Sequence, residues 1–355
     1  MRRPVLVAGR RTAAAAVYAR TRAALAGLAI AEQPGMPEHS PIEHVLRLRY
    51  LALSHGADAF VAIGGGSASD ACKAAALWMA EGGDLEQHGT RFVPPDRLHS
   101  PPLPAPKLPV IAIPTTLSGA EGTGGGSVRT PDGRKIVLVD PKLCARLIVI
   151  DPIASLEVPA SIFLASGMNG LAHCIEGYYS RVRTPITSAL ALEGMRLFME
   201  ALPAVACDPG SVVARTQALV AAHLGGQVLV NARSCIHHAT CHVLGAVAGL
   251  SHGDANSIML PHAMEFNRAD PAAEADLAEC AAALGAAEAS AAAAVERVRW
   301  LQQAIGVPTR LRDRDMPCEL LAQVAAGVMA EKGLYVNPRR VARPQDVMPM
   351  LEAAW

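Results

Sequence analysis

The side chains best suited to chemistry fall in two stretches. In SGMNGLAHCIEGYYS, residues 166–180, Asn169 and His173 stand one helical turn apart. CIHHATCHVLGAVAGLSHGDANSIMLPH, residues 235–262, holds five of the twelve histidines. His238 and His242 share one helical face, His237 is rotated by about 100° from His238, and His252 follows an expected helix end near Gly249. If the two helical segments pack, His173, His238 and His252 could converge on a divalent metal. Zinc and iron sites of this kind normally add a carboxylate or a further histidine, and Asn169 puts a neutral amide in that place. The residues alone predict a polar, histidine-lined site with metal binding open; any single histidine could equally be a hydrogen-bonded core residue.

Two loops have the composition of a phosphate cradle. AIGGGSASDACK, residues 62–73, follows a strand-like run and opens a helix. Gly64, Gly65, Gly66 and Ser67 would let a pyrophosphate approach the backbone and the free N–H groups of the helix start. A tight glycine turn without a ligand is the alternative. IPTTLSGAEGTGGGS, residues 113–127, places Thr115, Thr116 and Ser118 after another strand, where open parallel sheets bind their ligands; a merely flexible loop would read the same way.

Placing these groups requires two kinds of scaffold. Residues 1–152 alternate apolar runs (PVLVAG, DAFVAIGGG, LPVIAIPTT, ARLIVIDP) with helical segments, which predicts an α/β dinucleotide-binding domain with a parallel sheet covered on both faces. Residues 153–355 are Ala- and Leu-rich with helical period, so a helical substrate domain is expected. The proline-rich stretch 92–109 reads as an exposed connection.

Composition narrows the partners. Lys plus Arg and Asp plus Glu both number 32, and no long basic run is present, which argues against nucleic acid or an anionic membrane surface and for a small-molecule substrate. Eight scattered cysteines without a CxxC pair fit reduced thiols in a cytoplasmic protein, and neither a secretory apolar run nor a membrane-length apolar run is visible.

The ordered motifs GGGSxxDxxK at Gly64 to Lys73, IPTT at 113–116, GMNGLAHCIEGYYS and HHATCHVLGAVAGLSHGDANSIMLPH resemble the iron-containing, or group III, alcohol dehydrogenase superfamily. With Asn169 and the ending NPRRVARPQDVMPMLEAAW, the chain is most similar to the maleylacetate reductases within it. The resemblance implies a dehydroquinate synthase-like architecture: a Rossmann-like N-terminal domain, an all-α C-terminal domain, a cleft between them, and a homodimer. It implies NADPH or NADH as cofactor, contacted by Gly64, Gly65, Gly66, Ser67 and Asp70, with Thr115, Thr116 and Ser118 toward the ribose and nicotinamide. His173, His238 and His252 match three ligands of the metal-dependent members, His242 the histidine near the nicotinamide, and Asn169 replaces the fourth ligand. The expected activity is hydride transfer to a small unsaturated or oxo carboxylate, with histidines acting as donors and proton source in place of a metal. A metal-dependent alcohol or aldehyde dehydrogenase, and a fold relative with a non-redox role in a biosynthetic pathway, are the alternatives.

Three departures qualify the resemblance. The chain begins almost at its first strand, so a sheet short of an edge, or a late start, is expected. AGRRT after that strand offers Arg10 and Arg11 where related enzymes often carry an acid; this would suit a 2′-phosphate, or be two solvated arginines. The segment GTGGGSVRTPDGRKIVLVDPKLC is unlike the reductases' substrate-side loop, which leaves substrate identity open.

Overall fold

The computed structural model describes residues 1–93 and 97–355. The chain divides into two compact units, Met1–Arg91 with His99–Val158, and Phe92–Leu98 with Pro159–Trp355.

The first unit carries β1 (Pro4–Gly9), α1 (Arg10–Ala13), α2 (Ala16–Ala24), β2 (Ala31–Met36), α3 (Ile42–His55), β3 (Ala59–Gly64) and α4 (Gly66–Glu81). The short strands β4 (Arg91–Val93) and β5 (Arg97–His99), which pair with each other, lie mostly in the segment that groups with the second unit; in the first unit then follow β6 (Val110–Pro114), β7 (Gly125–Arg129), β8 (Lys135–Val139), β9 (Leu147–Ile148) and α5 (Pro152–Ser155). Five strands form one parallel sheet in the order β2-β1-β3-β6-β9. Strand alternation explains how both faces are buried. Val5, Val7, Phe60 and Ala62 join a core cluster on one face, while Leu6, Ala8, Val61 and Ile63 join another on the opposite face. Taken in sequence, these sheet strands run 2-1-3-4-5, a doubly wound order whose connections reverse between β1 and β3, where ligands of such sheets bind.

Three local features go beyond what the apolar runs announce. β2 is a strand although its sequence, AEQPGM, carries a proline, a glycine and two polar residues; it lies at the sheet edge, where a missing N–H is tolerated. The glycine-rich segment after Thr123 is an antiparallel hairpin, β7 with β8, closed by a turn in which Thr130 N–H donates to Arg134 O at 2.9 Å and Gly133 has φ +86°. The proline-rich stretch is not simply a connection, since β4 and β5 lie within it; Pro94 and Pro95 fall outside the described residues.

The second unit holds α6 (Ala160–Tyr179), α7 (Pro185–Cys207), α8 (Val212–Ala232), α9 (Ile236–Val247), α10 (His252–Asn267), α11 (Pro271–Ala283), α12 (Ala291–Ile305), α13 (Leu321–Val328) and α14 (Met348–Ala354). Every residue from Gly167 to Tyr179 is buried, which makes α6 a central helix packed on all sides. Small residues permit this: a Cβ at Gly177 would lie 2.1 Å from Val228 Cγ1 of α8, and one at Gly225 would lie 2.9 Å from the Gly170 carbonyl oxygen. Within α10, Pro261 has no N–H for the Ser257 carbonyl one turn earlier, and the buried Gln302 of α12 donates to that oxygen at 2.5 Å instead. Among the described residues no helix is long and apolar enough to cross a membrane.

Candidate functional site

In the first unit, the two expected loops meet at the carboxyl ends of adjacent strands. β3 and β6 pair through Gly64 and Pro114, and Thr115 N–H donates to Gly64 O at 3.0 Å. Gly64 has φ +131°, and a Cβ there would lie 3.2 Å from Thr12 Oγ1, so this turn needs glycine. A Cβ at Gly65 would approach Thr116 Oγ1 to 3.2 Å, and one at Gly66 would lie 3.6 Å from Ser118 Oγ. No side chain caps α4 and no acid occupies its first turn, so its positive end is open to an anion.

Two of the expected cofactor residues also make contacts within the protein. Ser67 Oγ accepts the backbone N–H of His39 at 3.0 Å, and the Ser67 carbonyl accepts from Ser40 Oγ at 2.8 Å. Both partners sit in a loop where His39 and Ser40 have φ of 64° and 47°, a loop marked in the sequence only by its flanking prolines. Asp70, expected to contact cofactor, accepts from the Ser127 N–H at 2.9 Å and hydroxyl at 3.3 Å, fixing β7 to α4. One turn on, fully buried Lys73 donates to the carbonyls of Ala120, Thr123 and Gly125 at 2.5, 2.8 and 2.8 Å. Asp70 and Lys73 therefore both position the second loop. Arg10 is exposed at the start of α1, directly after Gly9.

In the second unit, α6, α9 and α10 bring five histidines together. The rings of His173 and His238 stack with centroids 4.6 Å apart, His238 lies 6.2 Å from His252, and His242 stacks on His252 at 5.9 Å. His237 meets His238 edge-on at 4.9 Å. His242 is the more open member, its Nδ1 3.0 Å from Glu331 Oε2.

Glu176, one turn beyond His173 on α6, organises this layer, and sequence reading missed it. Its Oε1 accepts the N–H groups of Cys235 (3.0 Å) and His237 (2.8 Å), two of the donors that the start of α9 leaves unpaired. A third, from Ile236, goes to Asn337 Oδ1 at 3.2 Å, and Asn337 is itself paired with Asn267. Glu176 Oε2 accepts Nδ1–H of His238. The available signal was that Glu176 is the only charged residue in α6.

Burial pushes His173 well below the usual imidazole range, with His238 adding to the shift. Burial also lowers His238 to about 4, against the pull of Glu176. The Glu176 carboxyl, which burial alone would raise, is held well below the carboxylate range by His238 and His237. Burial opposes charge on His237, but Cys241 and Glu176 raise it to about 10. Near neutrality His173 and His238 are uncharged, and Glu176 is an anion beside a protonated His237.

These protonation states test the fit of a metal. With its Nδ1–H given to Glu176, neutral His238 presents a lone pair at Nε2, yet Asn169 Oδ1, also an acceptor, lies 3.0 Å from it. A cation shared by the two atoms resolves the clash, as does turning the amide so that its NH2 donates. His173 Nδ1 is buried without a hydrogen-bond partner. Asn169 Oδ1 and His238 Nε2, with the unpartnered imidazole of His173 stacked beside them, suit a divalent ion, with Glu176 behind His238 as the nearby negative charge; the His252 ring lies 6.2 Å from that of His238 and is not part of a tight ligand group. The tightest acid and imidazole group among the described residues, Glu176 with His237 and His238, is a poorer ligand set, because Glu176 is spent on the three hydrogen bonds above and His237 Nε2 donates to Asn256 O at 3.0 Å.

Residues 1–152 match the family model described as iron-containing alcohol dehydrogenase, and residues 163–355 match that of the Fe-containing alcohol dehydrogenase family, C-terminal. Maleylacetate reductase 2 of Cupriavidus pinatubonensis is 34% identical over 321 residues, 90% of this chain and 80% of that protein. NAD-dependent methanol dehydrogenase of Bacillus methanolicus is 31% identical, covering 84% and 77% of the two chains. The crystal structure of an iron-containing alcohol dehydrogenase from Corynebacterium glutamicum superposes with a TM-score of 0.82 at 30% identity, covering 99% of this chain and 87% of that one.

Proposed function

The chain belongs to the iron-containing alcohol dehydrogenase family, and from that premise we propose an NAD(P)H-dependent reductase of the maleylacetate reductase type, acting on a small unsaturated oxo carboxylate. The observation that carries this reading is Asn169 beside His238: the site that would hold a cation through a carboxylate offers an amide and neutral imidazoles, a set suited to an anionic substrate. The dinucleotide is assigned to the glycine turn and the Thr115–Ser118 loop. Hydride, with its electron pair, passes from the reduced nicotinamide to the electron-poor carbon of the conjugated double bond, and the pair released there becomes an enolate on the ketone oxygen. The imidazole N–H of His173, the member of the layer with an unpartnered ring nitrogen, is assigned to stabilise that oxygen, and His242, half-exposed and steadied by Glu331, is the assigned proton source for the neighbouring carbon.

Purified protein mixed with maleylacetate and NADPH or NADH is expected to consume the reduced-nicotinamide absorbance. No turnover with either cofactor removes the substrate assignment. A second reading has its own support: His238, His173 and the Asn169 oxygen would hold a divalent ion, which when bound would supply Lewis-acid polarisation of an alcohol or carbonyl oxygen, and a relative is an NAD-dependent methanol dehydrogenase. Elemental analysis after dialysis, followed by assay with a chelator, separates the two. Activity that survives chelation supports the first reading; stoichiometric iron or zinc with activity lost on chelation supports the second.

A further inference from the structure

A cavity of about 640 Å3 opens in the helical unit among α10, α12 and the C-terminal segment, and no member of the histidine layer lines it. Its size is that of a small-molecule pocket. Its lining combines the apolar Pro261, Phe266 and Met350 with Arg299, Arg310 and Arg339. The charges on that lining are unbalanced. The one acid there, Glu265, is engaged by Arg268 at 2.8 and 3.0 Å. Arg339 is committed to the lining itself, donating to Phe266 O at 2.8 Å and lying 4.0 Å over the Phe266 ring. Arg299 reaches Glu296 on the outer side of α12, and Arg310 is exposed at the mouth. A positive field inside is registered by His262, which also lines the cavity: burial, Arg299 and Arg310 together lower it to about 4.

We propose that this cavity is a binding site for a small organic anion with an apolar body, an aromatic carboxylate being the chemistry that fits, with its carboxylate between Arg299 and Arg310 and its ring against Phe266 and Met350. Guanidinium groups recognise carboxylates in a planar, paired geometry, and the apolar part of the lining discriminates against a bare inorganic anion. The proposal is independent of the reductase reading, because binding is measured without cofactor or turnover.

The test is calorimetric titration of the full chain with benzoate, benzamide and inorganic phosphate. Benzoate is expected to saturate with a Kd of about 1 mM or tighter, with benzamide and phosphate each weaker by about tenfold or more. R299Q and R310E are each expected to weaken benzoate at least about tenfold at unchanged circular dichroism and Tm, while R310K keeps most of the affinity. Absence of saturation by about 10 mM overturns the proposal. Undiminished benzoate binding in both R299Q and R310E also overturns it, by placing the anion elsewhere, and phosphate binding as tightly as benzoate removes the role given to the apolar part of the lining.

Discussion

Glu176 supplies the negative charge that Asn169 lacks, but it supplies it behind His238, where it also closes the start of α9. Glu176→Gln keeps the shape while removing the charge, and turns an amide N–H2 or oxygen toward groups arranged for a carboxylate. Removing one partner of a buried pair costs about 3 kcal/mol or more, so a large fall in the denaturation midpoint is expected. Loss of activity with an unchanged midpoint would show that Glu176 does not hold the layer together. Asn169→Asp tests the opposite change. A carboxylate 3.0 Å from His238 Nε2 adds the anionic ligand that the donor set lacks, so zinc or iron affinity, read by elemental analysis after dialysis, should rise roughly tenfold or more while KM for a dicarboxylate rises. If neither moves, the assignment of this helix to an anionic substrate is wrong.

At the scale of elements, the sequence shows what is periodic or repeated as a motif and hides what is decided by neighbours. β1, β3 and β6 are continuous apolar runs because both their faces are buried, and they are legible for that reason. β2 is not, since an edge strand is held by one neighbour and can carry Pro34 and Gly35. The β7–β8 hairpin had a signal in Asp132-Gly133, masked by the glycines before it. In the site, the histidines were legible from motif order, whereas Glu176, His39 and Ser40 act through partners far away in sequence, which no local spacing reports. Close packing of α6 on α8 makes a direct prediction. Gly177→Ala places a methyl 2.1 Å from Val228 Cγ1, so it should cost about 1–3 kcal/mol by denaturant unfolding, and Val228→Ala in the same chain should recover part of that loss. Additive losses in the double variant would mean that the two helices do not meet at this pair.

For the whole molecule, 32 basic against 32 acidic residues leaves no net charge to draw anionic ligands from a distance, so selection between them has to be local. Cofactor choice is the sharpest case. Sheets of this order commonly place an acid at a strand end to accept from the ribose 2′-OH of NADH, whereas an arginine accommodates the 2′-phosphate of NADPH. Here β1 ends at Gly9 beside Met36, the end of β2; Arg10 follows the first strand directly, and the acid nearest the second strand's end, exposed Glu38, comes two residues after it. Glu32, the acid within β2, is already held by the Tyr18 hydroxyl at 2.7 Å and Arg22 at 2.9 Å. Arg10 is exposed directly after β1. The expected outcome is a kcat/KM for NADPH above that for NADH by roughly tenfold, the order of one charge-assisted hydrogen bond. Arg10→Glu should cost NADPH that advantage and leave NADH nearly unchanged. Equal losses with both cofactors would assign Arg10 to the general stability of α1, and a preference for NADH in the unaltered chain would show that the 2′-hydroxyl finds its acceptor elsewhere.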